Sequence, residues 1–201
     1  MQAEAVKLNP SNPFVWTSGL KSPVYCDNRV TLSYPDTRLF ITQQLVAAIK
    51  EHFPHTEAVA GVATAGIAQG ALVAAALNLP FAYVRPEPKK HGLKNSIEGK
   101  LASGAKTVVI EDLISTGKSS LKAVEDLREN DIEVLGLLSI FNYGFPETHK
   151  RFESESCRYI SLCNFTELSR VAKETGYISA ADFEKISEWS ADPQAWSAKQ
   201  G

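Results

Sequence analysis

Apolar residues fall in short, unbroken runs that recur at a nearly constant interval along the chain. The runs start near residues 57, 81, 107, 134 and 159, so successive starts differ by 24, 26, 27 and 25 residues. An unbroken apolar run suits a strand that is buried on both faces, as in a parallel sheet. About 25 residues are enough for a strand, a helix and two short loops. The pattern therefore predicts repeated strand–helix units.

The segments between the apolar runs have helical character. Ile41, Leu45 and Ile49 share one face of a stretch that starts near Asp36. Alanine and leucine, which are good helix formers, dominate the stretch after the first strand. Gly176 is placed to end a helix near the C-terminus. We predict helices at about residues 37–52, 66–77, 118–130, 165–175 and 180–189.

Residues 14–29 have a different character. This segment, FVWTSGLKSPVYCDNR, mixes aromatic and β-branched residues with the breaks Ser18-Gly19 and Ser22-Pro23. Such a pattern predicts a small hairpin, or hood, beside the main sheet. We therefore predict one α/β domain over residues 1–201, with a central, mostly parallel sheet flanked by helices. Residues 1–35 contribute the hood and residues 36–201 form the core.

The composition of the chain argues against several classes of protein. The 201 residues include 21 Lys and Arg against 23 Asp and Glu, a net charge of −2, which argues against a chain built mainly to coat nucleic acid or an acidic membrane. The three cysteines form no CxxC pair, which favours a reducing compartment and gives no zinc signature. We find no targeting segment and no run of 18 apolar residues, so we expect a cytoplasmic protein.

The stretch TVVIEDLISTGKSS, residues 107–120, is the strongest candidate for chemistry. A buried strand leads to Glu111 and Asp112, and a loop of small residues then feeds a helix. Backbone N–H groups at such a helix start suit a phosphate, and ligands of open α/β sheets sit beyond the carboxyl ends of strands. Carboxylates can accept hydrogen bonds from ribose hydroxyls, so the stretch indicates a ribose phosphate. The simpler alternative is a strand whose acids only cap the next helix.

Gly117-Lys118-Ser119 also looks like the end of a nucleoside-triphosphate P-loop. That motif needs a glycine five residues before Gly117, where this chain has Asp112. A carboxylate at that position would crowd and repel the phosphates. We therefore do not expect a P-loop.

Two further segments carry candidate chemistry. Residues 83–100, YVRPEPKKHGLKNSIEGK, form a basic, broken loop that could hold a diphosphate by charge. A solvated basic loop without a function is the alternative. Residues 61–74, GVATAGIAQGALVA, place Thr64, Ala65 and Gly66 between a strand and a helix. This is a second small-residue anion niche, although a tight strand–helix turn needs the same residues.

Together these segments resemble a known family. The 13-residue stretch that holds Glu111-Asp112 and Ser-Thr-Gly is similar to the phosphoribosyl diphosphate (PRPP) signature of type I phosphoribosyltransferases. FVWTSGLKSPVYCDNR and RPEPKKHGLKNSIEG resemble the hood and the mobile catalytic loop of the orotate phosphoribosyltransferases in that group. The resemblance implies the type I phosphoribosyltransferase fold and transfer of phosphoribosyl from PRPP to orotate, which gives orotidine 5′-monophosphate and diphosphate. It also implies Mg²⁺, held mainly by PRPP, and a homodimer whose active sites are shared.

The resemblance assigns roles residue by residue. Asp112, with Lys89 and His91 of the mobile loop, would be catalytic, and the loop would reach the neighbouring subunit's site. Orotate would bind Ser115, Tyr25, Lys21 and Arg29, with Asp27 nearby in the hood. PRPP would bind Arg85, Lys89, His91, Glu111, Asp112, Leu113, Ile114, Ser115, Thr116, Gly117, Lys118, Ser119, Thr64 and Ala65.

Some positions depart from the family pattern. Pro86 and Glu87 stand where many members have loop lysines, and Lys118 replaces a usual glycine. Some members have an arginine that contacts orotate after the fourth strand, where this chain has Phe141-Asn142-Tyr143-Gly144. Two other functions stay open: a phosphoribosyltransferase for a purine or uracil, and a regulator that senses PRPP without catalysis.

Overall fold

The computed structural model describes residues 3–16, 18–86 and 96–200. Ten strands and seven α-helices are present in these ranges, with one 3₁₀ helix at Asn28–Ser33. The strands are β1 Val6–Leu8, β2 Phe14–Val15, β3 Lys21–Ser22, β4 Val24–Cys26, β5 Ala58–Val62, β6 Phe81–Val84, β7 Ile97–Glu98, β8 Lys106–Ile114, β9 Glu133–Asn142 and β10 Tyr159–Asn164. The helices are α1 Pro35–His52, α2 Ala65–Leu77, α3 Lys118–Glu129, α4 Pro146–Ser154, α5 Phe165–Glu174, α6 Ala180–Ala191 and α7 Pro193–Lys199.

The central sheet has six strands in the order β10-β9-β8-β5-β6-β7. All neighbouring strands run parallel except β7, which is a two-residue antiparallel edge strand beside β6. The five apolar runs of the sequence are its five parallel strands, so the predicted α/β fold with a mostly parallel sheet is confirmed.

Helices cover both faces of the sheet, which is why its strands have no polar alternation. On one face Leu45 of α1 and Val73 of α2 pack against Val108 and Ile110 of β8. On the other, helices α3 and α4 pack on the neighbouring positions of the same strands, with Val109 of β8 in the centre. Burial on both faces explains the continuous apolar runs.

One close approach joins α2 to the middle of the sheet. A Cβ atom on Gly66, in the first turn of α2, would lie 2.4 Å from the carbonyl oxygen of Ile110. Only glycine leaves room for the helix to start there. This contact places the start of α2 beside the carboxyl half of β8.

The hood consists of two short antiparallel pairs, β2 with β3 and β1 with β4. An aromatic cluster that includes Trp16, Tyr143, Phe165 and Trp189 joins the hood to the end of β9 and to the C-terminal helices. The hood is therefore packed on the core rather than attached by a linker.

The predicted helices are present and start within two residues of the predicted positions, but several other elements differ from the prediction. Helices α4 and α7 and the 3₁₀ helix were not predicted, and β8 continues to Ile114 instead of ending at Glu111 and Asp112. Proline in the first turn and an acid after it mark the start of α4, where Pro146 is followed by Glu147. Of the helices in the described ranges, none is long and apolar enough to cross a membrane.

Candidate active site

The chemistry-bearing segments meet at the carboxyl edge of the parallel strands. The N–H group of Ala63, after β5, donates to the carbonyl of Val84 in β6 at 2.8 Å. A cavity of about 100 Å³ between them also touches Ser119 of α3 and Arg85. The parallel register therefore brings three segments together that are 20 or more residues apart in sequence.

The loop between β8 and α3 is shaped for an anion. Gly117 adopts the left-handed conformation with φ of 75°, and no side chain caps the start of α3 behind it. The first N–H groups of an uncapped helix are free for a negatively charged ligand, and the helix dipole favours one. Thr116, Lys118 and Ser119 are exposed around this point, as a phosphate-binding loop requires.

Gly117 is required for two reasons, whereas Lys118 is compatible with the loop. A Cβ atom on Gly117 would lie 2.5 Å from the ring of Phe152, and its positive φ is itself unfavourable for other residues. Lys118 is the first residue of α3, is exposed, and is not among the residues with positive φ. The lysine at this departure from the family pattern therefore causes no backbone strain.

Helix α4, which was not predicted from the sequence, supports this loop. The Thr148 hydroxyl donates to the carbonyl of Ser115 at 2.6 Å, and Arg151 Nη1 donates to the carbonyl of Thr116 at 2.7 Å. Phe152 fills the space beside Gly117. One face of α4 thus binds two of the loop carbonyls and packs against Gly117, which leaves the loop's N–H groups directed elsewhere.

Glu111 is a buried acid beneath the loop. Its carboxyl accepts a hydrogen bond from the Ser120 hydroxyl at 3.2 Å and one from the N–H group of Asp112 at 3.1 Å. Burial, followed by the nearby charge of Asp112, raises the pKa of Glu111 to about 9. Without a ligand Glu111 is therefore protonated near neutral pH.

Asp112 is half-buried and faces the hood. The amide of Asn28 in the 3₁₀ helix donates to the backbone carbonyl of Asp112 at 2.8 Å. Burial raises the pKa of Asp112, while hydrogen bonds from its surroundings and the charge of Arg29 lower it. Because Asp112 is more accessible than Glu111, it is the acid placed to contact a ligand directly.

A pocket of about 340 Å³ lies between the hood and the ends of β8 and β9. The structure brings the predicted residues Tyr25 and Ser115 together in its wall. Cys26 also lines it, and burial raises the pKa of that thiol to about 12, so it stays neutral. The other lining residues are Val15, Trp16, Ser18, Leu113 and Tyr143.

Lys21 and Arg29 lie elsewhere in the hood and do not line this pocket. Lys21 Nζ donates to the carbonyl of Gln200, and its N–H group donates to Ser197 of α7. Arg29 forms a two-pronged ion pair with Asp27, at 2.7 and 2.9 Å. Their predicted contact with orotate stays a prediction.

The remaining predicted residues divide into two groups. Thr64 and Ala65 begin α2, next to the cis peptide bond Ala63–Thr64. Thr64 and Arg85 line a cavity of about 430 Å³, and Ala65 follows Thr64 in the chain. Arg85 Nη1 is 3.4 Å from a carboxyl oxygen of Glu98. Lys89 and His91 fall outside the described residues.

Two sequence relatives and one solved structure that match this chain are all orotate phosphoribosyltransferases. The chain is 51% identical over 198 residues to an orotate phosphoribosyltransferase of Bacteroides thetaiotaomicron, covering 98% of this chain and 93% of the relative. It is 50% identical over 196 residues to one from Porphyromonas gingivalis, covering 98% and 93%. The crystal structure of the Aeropyrum pernix orotate phosphoribosyltransferase superposes with a TM-score of 0.77 at 29% identity, covering 89% of this chain and 96% of that one. No family model matches the chain.

The raised pKa of Glu111 predicts how stability depends on pH. Below about pH 4.5, Glu111 is protonated in both the folded and the unfolded protein; between about 4.5 and 9 only the folded protein keeps the proton. The free energy of unfolding should therefore fall as pH rises through this window. Glu111→Gln imitates the protonated carboxyl and should flatten this fall. Urea unfolding of both proteins at pH 5, 7 and 8.5 measures the difference.

Glu184→Gln is the matched control, because Glu184 is an exposed acid on α6. This variant should keep the wild-type pH dependence. The raised pKa of Asp112 acts in the same direction in the wild type and in Glu184→Gln. Parallel pH profiles for wild type and Glu111→Gln would contradict a protonated, buried Glu111.

Proposed function

The chain belongs to the orotate phosphoribosyltransferase family, and we propose that it transfers the phosphoribosyl group of PRPP to orotate, giving orotidine 5′-monophosphate and diphosphate. This is a pentosyl transfer in pyrimidine nucleotide (UMP) biosynthesis. The observation that carries the proposal is a single junction at Leu113 and Ser115. There the phosphate loop with its acid pair opens directly into the pocket beneath the hood. A sugar phosphate and a planar base can thus meet at one point.

The ribose phosphate of PRPP would occupy the β8–α3 loop. The 5-phosphate would accept hydrogen bonds from N–H groups of the segment from Leu113 to Ser119, which includes Ile114, Thr116, Gly117 and Lys118. Asp112, half-buried and adjacent in sequence to the lining residue Leu113, would accept a hydrogen bond from a ribose hydroxyl. Glu111 would act from below, next to Ser120. Positive charge that builds on the sugar as its anomeric bond breaks would be stabilised by the carboxylate of Asp112.

The departing diphosphate would leave toward the cavity of about 430 Å³, which Thr64 and Arg85 line. Ala65, the first residue of α2, would offer its N–H group there. Lys89 and His91 would add positive charge and hydrogen bonds to the leaving group. Stabilising that group and excluding water are the main contributions the protein can make to this reaction.

We propose Mg²⁺ as the cofactor. Carboxylate oxygens such as those of Asp112 and Glu111 belong to the ligand class that Mg²⁺ prefers, and the ion commonly keeps phosphate oxygens and water as its other ligands. Among the described residues, no group of three or more His, Cys, Asp or Glu side chains could hold the ion alone. PRPP oxygens would therefore supply most of its ligands and would bring the ion into the site.

Orotate would bind in the pocket beneath the hood. Tyr25 and Ser115 line it and offer hydroxyl groups, while Trp16 supplies an aromatic wall. Lys21 and Arg29 would bind orotate from the hood. Lys21 would then exchange the backbone carbonyl of Gln200 for the ligand, and Arg29 would exchange Asp27 for it. The protein would work in the cytoplasm on these small molecules, without nucleic acid or membrane as a partner.

The choice of base is tested by a substrate panel. The protein with Mg²⁺ and PRPP is supplied in parallel with orotate, uracil, adenine and hypoxanthine, and nucleotide and diphosphate formation are measured. We expect turnover with orotate alone. Turnover of a purine or of uracil instead would identify another phosphoribosyltransferase, and PRPP binding without turnover of any base would identify a sensing protein. Neither alternative is favoured by the relatives' names.

We further propose a homodimer formed through α1. From Leu39 to Ile49 this helix carries no charged side chain, although Gln43, Gln44 and Ala47 are exposed. Leu39 and Phe40 are 56% and 60% exposed. A surface helix normally presents charged residues to water, and exposed apolar patches mark contacts with other molecules. Arg38 Nη1 donates to the carbonyl of Leu32, so this helix is tied to the 3₁₀ helix beside the site.

Phe40→Asp should break this dimer. A charge in the centre of an apolar interface has no partner and must be desolvated. We expect the variant to sediment as a monomer at micromolar concentration while its circular dichroism stays that of the wild type. Val171→Asp, at an exposed apolar position of α5, is the control and should remain a dimer. A dimeric Phe40→Asp protein would place the interface elsewhere.

We propose that the segment bearing Lys89 serves the partner's site, which mixed dimers can test. Lys89→Ala and Asp112→Asn should each be nearly inactive alone, since each removes a charged contact to PRPP. If the loop crosses over, a mixed dimer has one site with both defects and one with neither. Random reassembly then makes about half of the dimers mixed and restores about a quarter of wild-type activity.

In this experiment the two purified variants are unfolded together, refolded and assayed for orotidine monophosphate. A mass tag on one variant verifies that subunits have exchanged. Verified mixed dimers without recovered activity would show that Lys89 serves its own subunit.

A further inference from the structure

Tyr143 is a buried tyrosine whose hydroxyl has no hydrogen-bond partner among the described residues. Only about 4% of the residue is exposed, and it lines the pocket beneath the hood. Among the described residues, the buried polar atoms without a partner are Gln69 Nε2 and Trp189 Nε1, so the Tyr143 hydroxyl is accessible from the pocket that the residue lines. A tyrosine hydroxyl of a largely buried ring usually finds a partner, and a ligand in the pocket can supply it.

The ring of Tyr143 is held on all sides. It stacks on Phe145 with ring centres 5.5 Å apart, meets Trp16 at 5.0 Å, and contacts Phe141 edge-on at 5.3 Å. Its N–H group donates to the carbonyl of Ile114 at 3.2 Å, which ties it to the end of β8 one residue before Ser115. The hydroxyl is thus fixed in place before a ligand arrives, and binding costs little side-chain entropy.

The surroundings favour an uncharged donor at this position. Burial raises the pKa of Tyr143 well above its ordinary value, and the nearby negative charge of Asp112 acts in the same direction. The hydroxyl therefore keeps its proton. The described lining of the pocket contains no Lys, Arg or His, so an anionic ligand group there must be recognised by neutral donors.

On the basis of the proposed function, we propose that the Tyr143 hydroxyl donates a hydrogen bond to the carboxylate of orotate and so distinguishes orotate from uracil. The carboxylate is the group that uracil lacks, and a hydrogen bond to a charged acceptor is among the stronger kinds. Tyr143 stands in the segment where some members of the family carry an arginine.

The test uses Tyr143→Phe, which keeps the ring and its aromatic contacts and removes only the hydroxyl. Binding of orotidine 5′-monophosphate and of uridine 5′-monophosphate is measured by calorimetry. Both nucleotides have the same ribose phosphate, and only the first has the carboxylate. We expect the variant to bind orotidine monophosphate at least about tenfold more weakly and uridine monophosphate as before. In turnover, KM for orotate should rise and KM for PRPP should stay unchanged.

Tyr177→Phe is the control, because Tyr177 is about half exposed and lies outside the pocket. It should leave both affinities unchanged. Equal affinities for orotidine monophosphate in wild type and Tyr143→Phe would overturn the inference, and so would an equal loss for both nucleotides, which would point to a disturbed pocket. Failure of the wild type to bind orotidine monophosphate or to use orotate would instead overturn the proposed function.

Discussion

The candidate site depends on the fixed conformation of the turn between β8 and α3. Gly117 must be left-handed for α3 to begin where it does, and the ring of Phe152 occupies the volume that any side chain there would need. The turn's carbonyls are bound by Thr148 and Arg151, so its N–H groups remain for a ligand. An anion site built from backbone needs this rigidity, because the groups that bind carry no formal charge and gain strength only from alignment.

Glu111 and Asp112 are neighbours on β8, but their side chains lie in different environments. Glu111 points to Ser120 of α3 and is buried, whereas Asp112 contacts the 3₁₀ helix through its backbone and stays half exposed. Burial raises the pKa of both, and their proximity raises that of Glu111 further. The uncharged state of Glu111 limits the repulsion that two adjacent carboxylates would otherwise exert on an incoming phosphate. This arrangement reconciles a pair of acids with an anion site a few residues away.

The sequence predicted the sheet well because its signal is local. Runs such as TVVI reflect burial on both faces of a strand, and their spacing reflects the length of one strand–helix unit. Helix α4 was missed because it is short and polar, and its contribution consists of single contacts from Thr148, Arg151 and Phe152 to a loop about 35 residues earlier. For the pocket, the sequence predicted the lining residues Tyr25 and Ser115. It predicted no role for Tyr143, which belongs to the segment that lacks the arginine of other family members. Its role depends on which rings surround it, and periodicity carries no information on that.

The hood and the C-terminal helices form one structural unit despite their separation in sequence. Trp189 packs against Trp16 at 5.8 Å and against Tyr143 at the same distance, while Ser197 accepts from the N–H group of Lys21 in β3. The wall of the base pocket is therefore held by residues from both ends of the chain. Each aromatic contact is worth about 0.5–1.5 kcal/mol beyond burial, so the cluster can hold a hood whose two-residue strands could not stand alone. It follows that a change in the last helices should reach the pocket through Trp16 and Tyr143, while the β8–α3 turn, which is anchored separately by α4, keeps its conformation.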